Sequence, residues 1–329
     1  MKRFYGFIFF LTVVCFTACS NDDSDSSGKP GEGPGAIDLA VTSRIGTLTG
    51  QSLTSYVKYL DILLFRENTN GIYRLVESIS LNKDQLEALT VSSTESDAGY
   101  TEPKDISFEN LPIGNYRIAG LGNMRDSTGA LLENATLSDV NVGNTMDEVI
   151  ASVTAGSVSP RLFFGLTDPI VLGSAMPAKP QLTLFRKVAM FNLTLENVPE
   201  AVRQINVEIQ NTYGAFDMTG AFLSSPVISV LSTQNYNFTS EQSQLPVTVI
   251  SLPTVSGQQS VFTLVFYLDN GQVITIPLQN TYVLKPNTIT KLTATIDANQ
   301  SGGVWNVELT LSISADVEWN VDQEPGIII

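Results

Sequence analysis

One stretch near the end of the chain decides its fold class: Val307-Glu308-Leu309-Thr310-Leu311-Ser312-Ile313-Ser314-Ala315-Asp316-Val317-Glu318-Trp319-Asn320-Val321. Its apolar residues are Val307, Leu309, Leu311, Ile313, Ala315, Val317, Trp319 and Val321, and every residue between them is polar. A period of two is typical of a β-strand that buries one face. The stretch therefore predicts β-structure.

The length of this stretch leaves two interpretations open. An unbroken strand would span ~50 Å at roughly 3.3 Å per residue, whereas most strands have about 3–10 residues. The first interpretation is one extended ribbon, which another subunit can accept as an added strand. The second is two consecutive strands of this protein's own sheets, joined by a bend near Ala315-Asp316.

Strand patterns continue through most of the chain, so we expect an all-β fold. Val57–Phe65 is apolar on both faces, which predicts a covered strand, and Val261–Leu268 has the composition of a central strand. Asp269-Asn270-Gly271 predicts a hairpin turn before a returning strand that ends at an edge, at Pro277. Lys83–Leu89 is the best helical stretch, with Asn82 as the candidate cap, and a loop turn is the alternative. No simple repeat is visible between the two halves.

The predicted domain organisation has four parts. Residues 1–18 form a signal peptide, and residues 19–36 form an acidic, Gly- and Pro-rich tether. A proline-rich stretch, Ala175–Pro180, then separates two antiparallel β-sandwiches, which we place at residues 37–175 and 176–329. The second sandwich ends in the alternating ribbon.

The N-terminus has the layout of a bacterial lipoprotein signal. Lys2-Arg3 precedes a short apolar segment that closes with Thr17, Ala18 and Cys19. A membrane-spanning helix needs roughly 20 apolar residues, and this segment is shorter. We therefore expect a cleaved signal, with cleavage after Ala18 and a lipid, such as palmitate, on Cys19. An ordinary secretory signal is the alternative.

The residues that follow Cys19 are polar and acidic. Asp22, Asp23 and Asp25 form a cluster that resembles the surface-export signal of lipoproteins from Gram-negative anaerobes. The alternative is a plain solvated linker. The first interpretation predicts an outer-membrane protein on the cell surface.

The amino-acid composition excludes several classes of function. The chain has 329 residues, no histidine, two cysteines and a net charge of −15. Without histidine, histidine-dependent catalytic triads are excluded. Since Cys15 leaves with the signal and Cys19 takes the lipid, the common zinc sites are excluded as well. An acidic surface repels nucleic acid. We expect no enzymatic activity, no metal and no cofactor.

Three short motifs resemble those of a known family. They are Arg186-Lys187-Val188-Ala189 with Asn192–Leu195, the strand-turn-strand segment Leu111–Asn123, and Leu284-Lys285-Pro286-Asn287. Together with the lipoprotein start, they resemble the fimbrillin and fimbrial-anchor lipoproteins of the FimA/FimB type. The resemblance implies two tandem transthyretin-like sandwiches with Greek-key topology. It also implies a role as anchor, accessory or tip subunit, or stalk of an adhesive fimbria, with other fimbrial subunits as partners.

The resemblance also implies assembly by β-strand complementation. In that family a stalk subunit is cut after an arginine, its first strand leaves, and a terminal strand of the next subunit fills the groove. Arg44 lies where such a cut would fall. A plain surface arginine is the alternative, and an uncut chain would act as an anchor or accessory subunit.

Two further hypotheses concern sugars. A surface glycan-binding lipoprotein of a polysaccharide-uptake system is the competing function, although the chain has only two tryptophans, Trp305 and Trp319, to stack on sugar rings. Separately, Asp126-Ser127-Thr128 resembles an O-glycan acceptor, with Ser127 as the modified residue. Host or bacterial surface ligands are also expected for an adhesive subunit.

Overall fold

The computed structural model describes residues 35–43, 53–89, 106–173, 177–278, 282–297, 306–308 and 314–318. The chain from Gly33 to Ile329 forms one compact unit. Strands dominate it, which confirms the predicted all-β class. We call Gly35–Arg186 the first half and Ala189–Glu318 the second half.

The first half contains ten strands within its described residues and two short helices. The helices are a 3-10 turn, Leu53–Ser55, and α1, Lys83–Leu89. Asn82 caps α1 as the sequence suggests, since its Oδ1 accepts from the Gln85 amide at 3.0 Å. The strands are β1 Gly35–Ser43, β2 Tyr59–Glu67, β3 Tyr73–Asn82, β4 Ile106–Leu111, β5 Gly114–Gly122, β6 Ala135–Leu137, β7 Ile150–Val153, β8 Phe163–Leu166, β9 Ile170–Leu172 and β10 Gln181–Arg186.

The second half also contains ten strands in its described residues. The predicted hairpin is confirmed: β16 and β17 are joined at Asp269-Asn270-Gly271, Gly271 has a φ of +81°, and β17 is an edge strand. The strands are β11 Ala189–Val198, β12 Val202–Tyr213, β13 Ala215–Asp217, β14 Val227–Asn235, β15 Gln242–Ser251, β16 Phe262–Leu268, β17 Val273–Pro277, β18 Thr288–Asp297, β19 Asn306–Glu308 and β20 Ser314–Glu318.

The two halves share one strand order, although their sequences show no simple repeat. In the first half, one layer runs β4-β1-β10, the other runs β3-β2-β5-β9, and β8 joins them by pairing with β10 and β5. In the second half, the layers run β15-β11-β18 and β14-β12-β16-β17. Strands at the same place in these orders pair in the same direction, parallel or antiparallel. Each half has one parallel pair, which is β1 with β10 in the first half and β11 with β18 in the second. Most other pairs are antiparallel, as predicted.

Two hydrophobic clusters fill the described part of the chain. One lies between the layers of the first half and contains Ile37 of β1, Ile62 of β2 and Phe108 of β4. The other begins on the opposite face of β2, with Leu63 and Phe65, and continues through the core of the second half. The prediction that β2 is covered on both faces is confirmed, because the residues in the middle of this strand are all buried.

The hydrogen-bonded layers of the first half extend past the expected domain boundary. Strand β10 follows the proline-rich stretch, yet it pairs with β1 and β8. The chain passes from β10 to β11 at Lys187-Val188, inside the first of the three family-like motifs. A small sheet also joins the halves, because β13 pairs with β7. The division into two domains at 175/176 therefore stays a prediction.

Candidate functional site: the first-strand slot and the terminal edge

Strand β1 lies in a slot between two other strands of the first half. It pairs in parallel with β10, from Ala40 opposite Gln181 to Ser43 opposite Leu184. On its other side it pairs antiparallel with β4, with Leu39 opposite Ile106. Both of its backbone edges are thus hydrogen-bonded, which is the situation of an interior strand.

The side chains of β1 help to close the core of the first half. Ile37 and Leu39 are 0% and 1% exposed. At the start of the strand, a Cβ on Gly35 would lie 2.8 Å from Leu172 Cγ, so only glycine fits there without a shift. Asp38 faces outward and accepts a 2.8 Å hydrogen bond from Ser107 of β4. Without β1, this core would be open to solvent.

Arg44, the candidate processing residue, follows directly after β1. It lies outside the described residues. The chain order alone places it next to Ser43, the last residue of β1. A cut after Arg44 would separate β1 covalently from all the strands that hold it.

The terminal ribbon pairs with this protein's own strand β18. Strand β19 lies antiparallel to the end of β18, with Val307 opposite Ile296, and β20 lies antiparallel to its start, with Val317 opposite Ile289. Both short strands occupy the same edge of β18. The backbone geometry therefore agrees with two consecutive strands inside the chain's own sheet.

The prediction that two strands join near Ala315-Asp316 is wrong in position, because β20 runs through both residues and has only a change of register there. Three steps along β20, from Ser314 to Val317, face two steps along β18, from Lys291 to Ile289. One extra residue on one strand is the signature of a β-bulge, which leaves the strand paired on both sides of it. The candidate residues Leu309, Leu311, Ile313, Trp319 and Val321 lie outside the described residues.

Two adjacent cations occupy the connection between the halves. The Arg186 side chain is 1% exposed, and its guanidinium lies over the rings of Tyr56 and Phe163 at 5.5 and 5.6 Å. Lys187 is half-buried and donates from Nζ to the Gly220 carbonyl at 2.7 Å. In the sequence this pair stands out only as part of a motif that resembles the family, since burial of adjacent charges has no sequence signal.

Lys187 is surrounded by aromatic rings from both halves. Its Nζ lies 5.1 Å from the Phe164 ring centre, 5.4 Å from that of Phe216 and 4.6 Å from that of Phe222. Burial lowers the pKa of Lys187 to about 8, and the Asp217 carboxylate opposes part of that shift. The lysine therefore ties β8 of the first half to the turn after β13.

The candidate glycan acceptor, Ser127, lies in an exposed turn. Asp126 Oδ1 accepts from the Thr128 amide at 2.8 Å, the Thr128 hydroxyl at 2.6 Å and the Ala130 amide at 3.1 Å. These bonds, led by that of the Thr128 hydroxyl, lower the pKa of Asp126. The turn is thus held in one shape while Ser127 is exposed to solvent, and its glycosylation stays a prediction.

The same turn occurs a second time, at Asp217-Met218-Thr219-Gly220-Ala221. Asp217 Oδ1 accepts from the Thr219 amide at 2.9 Å and the Thr219 hydroxyl at 2.5 Å. Here the residue equivalent to Ser127 is Met218, which is fully buried. The shared pattern Asp-x-Thr-Gly-Ala is the sequence signal that could have revealed both turns.

The remaining expected site residues lie outside the described part of the chain. They are Ala18, Cys19, Asp22, Asp23 and Asp25. Among the described residues, no helix has the length and apolar character needed to cross a membrane. The same residues contain no group of acidic, histidine or cysteine side chains suited to a metal ion.

Comparison with solved structures finds similar folds in proteins of Porphyromonas and Bacteroides. The fimbrial anchor protein Mfa2 from Porphyromonas gingivalis aligns with a TM-score of 0.55 at 14% identity, over 86% of this chain and 100% of that one. A proposed adhesin from Bacteroides ovatus has a TM-score of 0.55 at 12% identity, over 86% and 95%. A proposed polysaccharide-binding protein from Bacteroides thetaiotaomicron has a TM-score of 0.53 at 11% identity, over 84% and 99%. At these identities the likeness concerns the fold alone.

A family model assigns the sequence to a family. No curated protein matches the chain. The family model described as fimbrillin-A associated anchor proteins Mfa1 and Mfa2 matches residues 29–324, a range that includes every described residue. The protein therefore belongs to the Mfa2 family of fimbrillin-A associated anchor proteins.

Proposed function

We propose that the protein is a lipid-held anchor or accessory subunit of an adhesive fimbria on the outer membrane. The family supports a fimbrial role. The single observation that carries the anchor assignment is the position of β1, which is paired on both edges and buries Ile37 and Leu39. A subunit that keeps this strand also keeps the covalent path from its core to Cys19.

The lipid on Cys19 supplies the attachment in this proposal. A buried acyl chain contributes about 0.8 kcal/mol per methylene, and stable anchoring takes more than one chain. The polar segment after Cys19 then acts as a tether up to β1. The cluster Asp22, Asp23 and Asp25 directs the lipoprotein to the cell surface.

Contact with the next fimbrial subunit occurs through β-strand pairing. In the described residues, β19 and β20 have a partner strand on one side only, β18. Their outer edge would offer backbone groups that an added strand can satisfy. The alternation continues in the sequence through Trp319 and Val321 and would keep an added strand in register.

Two variants test the attachment in cells. Cys19→Ala should remove the protein from the detergent phase and release fimbriae into the medium. Replacing Asp22, Asp23 and Asp25 with alanine should preserve the lipid but reduce cleavage of the protein by protease added to intact cells. Retention of the Cys19→Ala protein in the detergent phase would contradict the lipid anchor. Equal protease sensitivity of the triple-alanine variant and the parent would show that the acidic cluster is only a linker.

Glycan binding is a second candidate, supported by the outer face of β12. Ile205, Val207 and Ile209 point into the core, whereas Gln204, Asn206, Glu208 and Gln210 form the opposite row. Gln204 donates to Asn206 at 2.8 Å and Gln210 to Glu208 at 3.0 Å. Tyr267 of β16 lies across from Gln204. This arrangement of amides beside one aromatic ring suits a neutral sugar chain.

Calorimetry with neutral polysaccharides separates the two candidates. Glycan binding predicts a measurable heat that the Tyr267→Ala variant loses and the Tyr59→Ala variant keeps. No heat with any neutral polysaccharide would remove this candidate and leave the fimbrial role unaffected.

A further inference from the structure

The first and last strands of the shared order are adjacent and parallel in both halves. Chain entering the first half begins β1 at Gly35, and chain leaving it ends β10 at Arg186. Because β1 and β10 run in parallel, these two points lie at opposite ends of the paired strands. A pull between them slides β1 along β10.

The contacts of β1 extend beyond its four registered pairs with β10. Asp38 donates from its amide to the Ala178 carbonyl at 2.8 Å, and Ala40 donates to the Pro180 carbonyl at 3.2 Å. On the other edge, β4 holds β1 from Gly35 to Leu39. A pull along β1 therefore loads hydrogen bonds on both of its edges together.

The second half repeats this arrangement with a longer contact. Strand β11 begins the second half at Ala189, and β18 ends at Asp297, before the chain returns to pair β19 and β20 with β18. The two strands are parallel and in continuous register from Met190 opposite Ile289 to Glu196 opposite Thr295. Strand β15 supports the other edge of β11 along most of its length.

We propose that the paired entry and exit strands make each half a shear clamp that carries pulling force along the fimbria. The inference rests on the proposed function, in which the lipid tether loads β1 from its N-terminal side. In shear, the backbone hydrogen bonds of a strand must break together, whereas in peeling they break one after another. For a pull applied at Asp297, the longer register in the second half makes it the stronger of the two clamps.

The geometry of β1 and β4 provides a peeling control within the same protein. These strands are antiparallel, so Gly35 lies beside Leu111 at one end of the pair. Ile113, just beyond β4, is 41% exposed and can carry a handle. A pull between the tether and Ile113 would open the β1–β4 bonds in turn, starting at that end.

Single-molecule pulling tests the clamp on the unlipidated chain that starts at Cys19. Cys19 carries one handle, and the second is placed through Asp297→Cys for shear or Ile113→Cys for peeling. We expect the force that frees β1 to be at least about twofold higher in shear, because several bonds resist at once. Equal forces in the two geometries would overturn the proposal.

Two proline variants distinguish a loss of the clamp from a general loss of folding stability. Ala40→Pro removes the bond from the Ala40 amide to Pro180, and Thr154→Pro removes a similar exposed bond, 3.0 Å long, from the Thr154 amide to Asn134. Both should lower the urea midpoint, but only Ala40→Pro should lower the shear force of the first half. An equal loss of force in both variants would contradict the clamp. These measurements need no fimbria, so their failure leaves the proposed attachment open to its own tests.

Discussion

The two halves of the molecule follow one strand order but end differently. In the first half, the exit strand β10 is covered by β8 of the same half, and β1 is paired on both edges. In the second half, the exit strand β18 is covered by β19 and β20, which have no other partner strand among the described residues. The first half is therefore closed by interior strands, whereas the second half is closed by an edge that another strand can extend.

The largest expected effect of this difference comes from removing β1. Deleting Gly35–Ser43 removes Ile37 and Leu39 from the core, each worth about 1.5–3 kcal/mol, together with pairing on two edges. The total approaches the whole stability of a domain, about 5–15 kcal/mol. We expect loss of cooperative urea unfolding, monitored by circular dichroism. A deletion of residues 21–31 in the tether should leave the midpoint unchanged, and an unchanged midpoint without β1 would contradict its role.

Truncation before Asp316 should have a smaller effect, because it removes pairing from only one edge of β18. It exposes the start of β18, where Ile289 is fully buried. We expect a lower unfolding midpoint and aggregation in size-exclusion chromatography. A stable monomer that fails only in fimbrial assembly would instead identify the ribbon as a donated strand of a stalk subunit.

The two Asp-x-Thr-Gly-Ala turns give a matched pair of substitutions. Met218→Ala should cost about 2–5 kcal/mol, because it empties a fully buried position. Ser127→Ala should change stability by less than about 0.5 kcal/mol, because Ser127 is exposed. Urea titration measures both. If Ser127 carries a glycan in cells, the intact mass of the Ser127→Ala protein will also fall by the mass of the sugar.

The pH dependence of the contact between the halves should be a smaller effect than that of Met218→Ala. Lys187 has a pKa of about 8, below its ordinary 10.5, so the unfolded chain binds more protons than the folded one between these values. Stability should therefore rise with pH from about 8 to 10.5, and the burial cost should be fully present below pH 8. We expect the stability of the parent, relative to Lys187→Met, to rise by roughly 1–3 kcal/mol across this window. Lys83→Met, at an exposed lysine away from the contact between the halves, is the matched control.

Local pattern predicted the strands well and their partners poorly. The turn at Asp269-Asn270-Gly271 and the cap at Asn82 are local signals, and the structure agrees with each. The parallel pairing of β1 with β10 joins residues far apart in the sequence, and strand pattern carries no information about such partners. The shared order of the halves was invisible for the same reason.

The site was predicted in outline but not in its contacts. Arg44 and the ribbon were identified from resemblance and alternation, whereas the slot that holds β1 appears only once β4 and β10 are placed beside it. Arg186 is buried and Lys187 is half-buried, whereas such residues usually lie at the surface. Aromatic rings from distant strands compensate for this burial, and these rings are brought together only by the fold.

The mass of the protein purified from cells tests the central claim most directly. Intact-mass and peptide mass spectrometry should find a mature chain that starts at Cys19, carries its lipid and includes β1 joined to Arg44. That result is expected of an anchor or accessory subunit that keeps its first strand. A chain that starts at Ile45 would contradict the account, because the protein would then have lost both its lipid and β1 and would be a processed stalk subunit.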